Sequence, residues 1–124
     1  MNTDKAVGIV VFGHGSSVAS ANAAVAAVAD RAASAGQWPL YETAFLECAP
    51  RLEDAVGKLV GRGASEVVVL PYFLTLGIHL QRDLPVLVDD LAARYHVPIR
   101  VSPPLDGHAG LEKILVDRAK EALS

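Results

Sequence analysis

Four short runs rich in valine, isoleucine and leucine alternate along this chain with four segments whose apolar residues recur at helical spacing, and few folds accommodate that order. Strands separated by helices pair in parallel, and a parallel sheet is normally covered by helices on both faces. The runs fall at residues 7–13, 40–46, 66–70 and 97–101. The first intervening helix spans residues 19–34, is dominated by alanine, and meets a stop at Gly36. Pro50 suits the first turn of the second, where Leu52, Ala55, Val56, Leu59 and Val60 form one stripe before Gly61, Arg62 and Gly63 end it. Asp83, Leu84 and Pro85 read as the opening of the third, with Leu84, Leu87, Val88, Leu91 and Tyr95 on its apolar face. The last starts near Ala109 or Gly110 and is expected to bury Leu111, Ile114, Leu115, Ala119 and Ala122. The run at 66–70 is the most continuously apolar, as for a central strand buried on both faces.

The expected fold is therefore α/β: a single three-layer αβα domain over residues 1–124, with a four-stranded parallel sheet of flavodoxin-like type. At 124 residues, of which 52% are hydrophobic, the chain supports one core and no second domain. Right-handed crossovers with helices on both faces require the connections to reverse direction across the sheet, and the order 2-1-3-4 does this with few elements. Ligands of such sheets bind beyond the carboxyl ends of the strands at the reversal, here between strands 1 and 3.

Net charge is −3 and the 11 Lys and Arg residues are scattered, which argues against nucleic acid as a partner. No apolar run reaches the roughly 18 residues of a membrane span. Asp4 beside Lys5 leads into the first run without a signal-peptide cleavage context, and Cys48 is the one cysteine, with no disulfide or CxxC partner. A soluble, cytoplasmic protein is expected.

The loop after strand 1 reads Gly13-His14-Gly15-Ser16-Ser17, and the loop after strand 3 runs from Pro71 to His79, so each contributes one histidine. Glycine on either side lets the backbone turn sharply around His14, and neutral imidazole is a suitable donor for Fe, Co, Ni or Zn. Two imidazoles without thiolates make an open site, suited to a metal that is passed on. Either histidine alone reads equally as a hydrogen-bonding surface residue; their joint placement favours the metal reading. Glu47 follows strand 2 and His108 follows strand 4, so polar candidates stand at the ends of all four strands; Glu47 reads equally as a site residue or a helix-entry charge, and His108 as an accessory or a loop residue. His96 suits a helix C-terminus, and Cys48 a small core position. The dinucleotide, Walker and G-x-S-x-G patterns are missing, although Ser16, Ser17 and Ser20 could serve a flavodoxin-like phosphate loop.

Gly13-His14-Gly15-Ser16, the stretch Ala44-Phe45-Leu46-Glu47 with Pro50, the segment Val69-Leu70-Pro71-Tyr72-Phe73-Leu74 with Gly77, His79, Arg82, Asp83 and Pro85, and Pro104-Leu105 with His108 together resemble the short CbiX-type sirohydrochlorin chelatases. The match runs in order through nearly the whole chain. It departs from the usual pattern at Ser17-Val18, Asp106 and Ala109.

The resemblance implies a class II chelatase fold and insertion of a divalent metal, Co2+, Fe2+ or Ni2+, into sirohydrochlorin for cobalamin, siroheme or a nickel tetrapyrrole. The metal is a substrate, and no organic cofactor is expected. By the same analogy His14 and His79 are the metal pair, and the family's chains of double length fuse two such units, so the short form is expected to act as a homodimer. Insertion expels two pyrrolic protons, for which His14, His79 or Glu47 is the expected acceptor. The substrate is a polycarboxylate, and Arg82, Ser16 and Ser17 are the expected donors to it. The readings kept beside this one are a metal- or tetrapyrrole-delivery protein without catalysis and a flavodoxin-like phosphate or nucleotide binder.

Overall fold

The computed structural model describes residues 6–124, so Asp4 and Lys5 lie outside the described residues. Eight elements follow in the expected order: β1 (Val7–Gly13), α1 (Ala19–Gly36), β2 (Leu40–Phe45), α2 (Leu52–Gly61), β3 (Glu66–Pro71), α3 (Ile78–Tyr95), β4 (Ile99–Val101) and α4 (Gly110–Leu123). All strand pairs are parallel, and the order is β2-β1-β3-β4, as the connection argument requires. Among the described residues no helix is long and apolar enough to cross a membrane.

The two faces of the sheet are covered unequally. Val10 and Phe12 of β1, Ala44 of β2, and Val67 and Val69 of β3 face the side where α2 and α3 pack, and they form one cluster with Leu52, Ala55, Val56 and Leu59 of α2 and Leu84, Val88 and Leu91 of α3. Gly8 permits this closeness, since a Cβ there would lie 3.1 Å from Leu59 Cβ and 3.2 Å from Ala64 Cβ. On the opposite face α1 lies along β2, where Tyr41 donates to Asp30 at 2.8 Å, a bond that raises the phenol above its ordinary pKa. Ile9 and Val11, on this face of β1, are buried, as are Ala29 and Ala33 of α1.

Several boundaries differ from the sequence reading, each for a local reason. The third helix begins at Ile78 and not at Asp83, because Gly77 supplies an extended N-cap and Gln81 closes the first turn with its N–H on the Gly77 carbonyl. Pro85 then sits within the helix on its exposed side, where the carbonyl it cannot bond can be hydrated. Pro50 precedes the second helix: its carbonyl accepts from Phe45 N–H, and Arg51 is the N-cap, with its own N–H donating to the Asp54 carboxylate. The first helix is stopped by Gln37, which takes the left-handed conformation expected just past a helix end, and Gly36 is the last helical residue. His96 does the same for α3, and Leu87 is 37% exposed, less buried than Leu84, Val88 and Leu91.

Two expectations about burial are overturned together. It is β1, not β3, that is buried on both faces; β3 alternates between buried and half-buried residues, with Val68 and Leu70 on the half-buried side. And α4 buries none of Leu111, Ile114, Leu115, Ala119 or Ala122. On that face α1 packs along β2, and Val68 and Leu70 of β3 stay half-buried. Leu59 is fully buried between sheet and helix layer, and Leu59→Ala is expected to lower unfolding free energy by about 2–5 kcal/mol in urea titration, with an unchanged slope.

Candidate functional site

At the carboxyl end of the sheet, the β1–β2 pairing outlasts the strands. Leu46 N–H donates to the Gly13 carbonyl and Glu47 N–H to the His14 carbonyl, both at 3.0 Å. The chain beyond is turned back by Arg51, whose guanidinium donates to the Leu46 carbonyl at 2.7 Å. His14 and Glu47 therefore emerge side by side, and His14 Nε2 lies 3.4 Å from Glu47 Oε1.

The turn that presents His14 depends on the second glycine of the pair. Gly15 has φ of +90°, and a Cβ there would fall 2.9 Å from Cys48 Sγ and 3.0 Å from Phe45 Cβ. Gly13 has no such constraint, since its nearest neighbour would be 3.7 Å away. After the turn, Asn22 of α1 clamps Ser16: its Oδ1 accepts from Ser16 N–H at 2.9 Å and its Nδ2 donates to the Ser16 carbonyl at 2.8 Å. The same Nδ2 reaches Cys48 Sγ at 3.5 Å, and Ser16 Oγ accepts from Val18 N–H. Asn22 escapes a motif search because it stands six residues away, but it is the one amide in an alanine-rich helix, and that isolation was a usable signal.

Hydrogen bonding sets the chemistry of the His14–Glu47 pair. The Gly15 carbonyl lies 3.1 Å from His14 Nδ1 and can only accept, so Nδ1 carries a hydrogen. In the neutral ring Nε2 then presents a lone pair toward a carboxylate oxygen, an arrangement satisfied by a proton or a cation between them. The imidazole and carboxylate are 59% and 62% exposed, so the pair opens to solvent. Phe73 stands edge-on to the imidazole, with ring centres 6.4 Å apart, and packs in turn on Phe12.

His79 occupies the first turn of α3, not the preceding loop. Its Nδ1 faces Arg82 Nη2 at 3.3 Å and therefore accepts, leaving the hydrogen on Nε2 in the neutral ring. Arg82 also pairs with Asp83 at 3.1 Å and is mostly exposed. The structure thus forms two couples, His14 with Glu47 and His79 with Arg82. Among the described residues it gathers no cluster of three His, Cys, Asp or Glu side chains able to hold a metal ion. Ser17 is exposed at the start of α1. His108 holds the root of α4, with Nδ1 accepting from Gly110 N–H at 2.8 Å.

The model of the CbiX family matches residues 8–122 of the chain. The sirohydrochlorin cobaltochelatase of Methanopyrus kandleri is 30% identical over 94% of this chain and 97% of its own length. The chloroplastic sirohydrochlorin ferrochelatase of Arabidopsis thaliana is 32% identical over 94% of this chain, which spans 53% of that protein. In structure, the chain is similar to the sirohydrochlorin chelatase SirB from Bacillus subtilis in complex with cobalt, with a TM-score of 0.84, 28% identity, and coverage of 93% of this chain and 50% of SirB.

The contrast between the two glycines is testable. Gly15→Ala is expected to cost about 1–3 kcal/mol through its positive φ and the Cys48 contact, and Gly13→Ala less than about 1 kcal/mol, both measured by urea denaturation.

Proposed function

The chain belongs to the CbiX family, and from that premise we propose that it is a chelatase inserting Co2+ or Fe2+ into sirohydrochlorin. The observation that carries the reading is the His14 Nε2 lone pair facing Glu47 Oε1 across 3.4 Å in an open site. One imidazole and one carboxylate suit first-row divalent ions without enclosing them, so an ion held there keeps coordination positions for the macrocycle.

Insertion replaces two pyrrolic N–H protons by one divalent ion. As the ion leaves His14 and Glu47 for the pyrrole nitrogens, the imidazole and carboxylate become free to take up the protons released. His79 serves as a further donor. Its Nδ1 lone pair is held by Arg82, and an Arg82 that swings to a substrate carboxylate releases that lone pair, which couples arrival of the macrocycle to completion of the ligand set. Ser16 and Ser17, in the same loop as His14, donate to the remaining carboxylates. The chain acts as one domain and pairs with a second copy, a reading supported by the open crevice and by a SirB chain about twice as long as this one.

Catalytic amounts of protein mixed with excess sirohydrochlorin and Co2+ are expected to convert the absorption spectrum well above the spontaneous rate. His14→Ala and Glu47→Gln are each expected to slow this by roughly 100-fold or more. A rate equal to the protein-free mixture would replace catalysis by a delivery role, and full activity in both variants would remove the pair from the mechanism. Arg82→Ala is expected to raise KM more than it lowers kcat.

A further inference from the structure

We infer that Asn22 is a positioning residue that selects the tautomer of His14. By holding one peptide group still, it keeps the ring hydrogen on Nδ1 and leaves the Nε2 lone pair for the metal. The use of that lone pair rests on the chelatase reading proposed above; the geometry that creates it does not.

Three peptide groups follow the His14 side chain, and all three are held. The carbonyl of the first, between His14 and Gly15, accepts from Glu47 N–H at 3.0 Å. The second, between Gly15 and Ser16, is trans, so its C=O and N–H stand on opposite edges. Its carbonyl lies 3.1 Å from His14 Nδ1, while its N–H donates to Asn22 Oδ1 at 2.9 Å. The carbonyl of the third, between Ser16 and Ser17, accepts from Asn22 Nδ2 at 2.8 Å. Ser16 N–H can only donate and its C=O can only accept, which fixes the orientation of the Asn22 amide. The other Nδ2 hydrogen serves Cys48 Sγ at 3.5 Å, so one half-buried amide ties the loop carrying His14 to the residue after Glu47.

Without that hold the ring would choose the other tautomer. A hydrogen on Nε2 would meet the Glu47 carboxylate in a charge-assisted bond, which is stronger than the neutral bond from Nδ1 to a carbonyl. The outcome depends on which acceptor can turn away. Glu47 is 62% exposed and can swing into water, whereas the Gly15 carbonyl belongs to a main chain held through Ser16 N–H. Rotation of the Gly15–Ser16 peptide is the escape from this arrangement. It would bring Ser16 N–H to His14 Nδ1, make that atom an acceptor and move the hydrogen to Nε2. Glycine at position 15 leaves such a rotation open, and Asn22 closes it. With the hydrogen on Nε2 the His14–Glu47 couple is satisfied without a cation; with it on Nδ1 the couple converges on one.

Proton–nitrogen correlation spectra of the metal-free chain with labelled histidine, at mildly alkaline pH, read the tautomer directly, and the His14 signals are those lost in His14→Gln. The parent is expected to show a pyrrole-type Nδ1 and a pyridine-type Nε2 at His14. Asn22→Ala is expected to reverse them, to weaken Co2+ binding by roughly 10–100-fold, and to lower kcat for cobalt insertion with little change in KM for sirohydrochlorin. Asn22→Asp, which still accepts from Ser16 N–H, is expected to keep the parent tautomer. His108, whose Nδ1 accepts from Gly110 N–H, is expected to carry its hydrogen on Nε2 throughout. A parent chain with the hydrogen on His14 Nε2, an Asn22→Ala chain with the parent tautomer, or an Asn22→Asp chain that loses it would each overturn the assignment. The tautomer is read without metal or substrate, so the two readings fail separately. A chain with the expected tautomers that inserts no cobalt overturns the chelatase reading alone. A chain that inserts cobalt while Asn22→Ala keeps its tautomer overturns the role of Asn22 alone.

Discussion

Past the last residues of the strands, two more hydrogen bonds extend the β1–β2 ladder, Leu46 N–H to the Gly13 carbonyl and Glu47 N–H to the His14 carbonyl, and the site depends on them. They are main-chain bonds, so they position His14 and Glu47 with the precision of a sheet although both residues lie outside it. Gly15 then has to leave the ladder in a left-handed conformation beneath Cys48, and Asn22 secures the chain as it enters α1. Scaffold and site are here one continuous backbone arrangement.

Much of this was legible in the residues. The alternation of apolar runs and helical stripes specifies a parallel sheet, and chirality of the crossovers reduces its strand order to few possibilities. His14, Glu47 and the His79–Arg82 segment all fall at the carboxyl end of the strands, where that topology puts ligands. The pairing of His14 with Glu47 was not legible, because it depends on how far a ladder continues after its strands end. Nor was the start of α3: the proline at 85 suggested a first turn there, whereas Gly77 caps the helix earlier and carries His79 and Arg82 onto one turn. Of the two glycines around His14 only Gly15 is conformationally required, a distinction set by the neighbouring Cys48 and Phe45 and invisible in the motif.

The remaining discrepancy is one of layers. A run of valines reads as a strand covered twice, and an amphipathic stripe as a helix packed once, but neither pattern says how completely the rest of the chain covers it. Val68 and Leu70 carry the composition of an interior yet are only half-buried, and the stripe of α4 buries none of its residues.

The exposure of the His14–Glu47 couple also has a kinetic side. An ion held by one nitrogen and one carboxylate oxygen, with more than half of each side chain in solvent, retains most of its hydration shell. Its dwell time is then governed by water exchange and by competing small ligands, not by the unfolding of a cage. On the proposed metal role of this couple, occupancy follows the free ion concentration of the moment and carries no memory of earlier exposure.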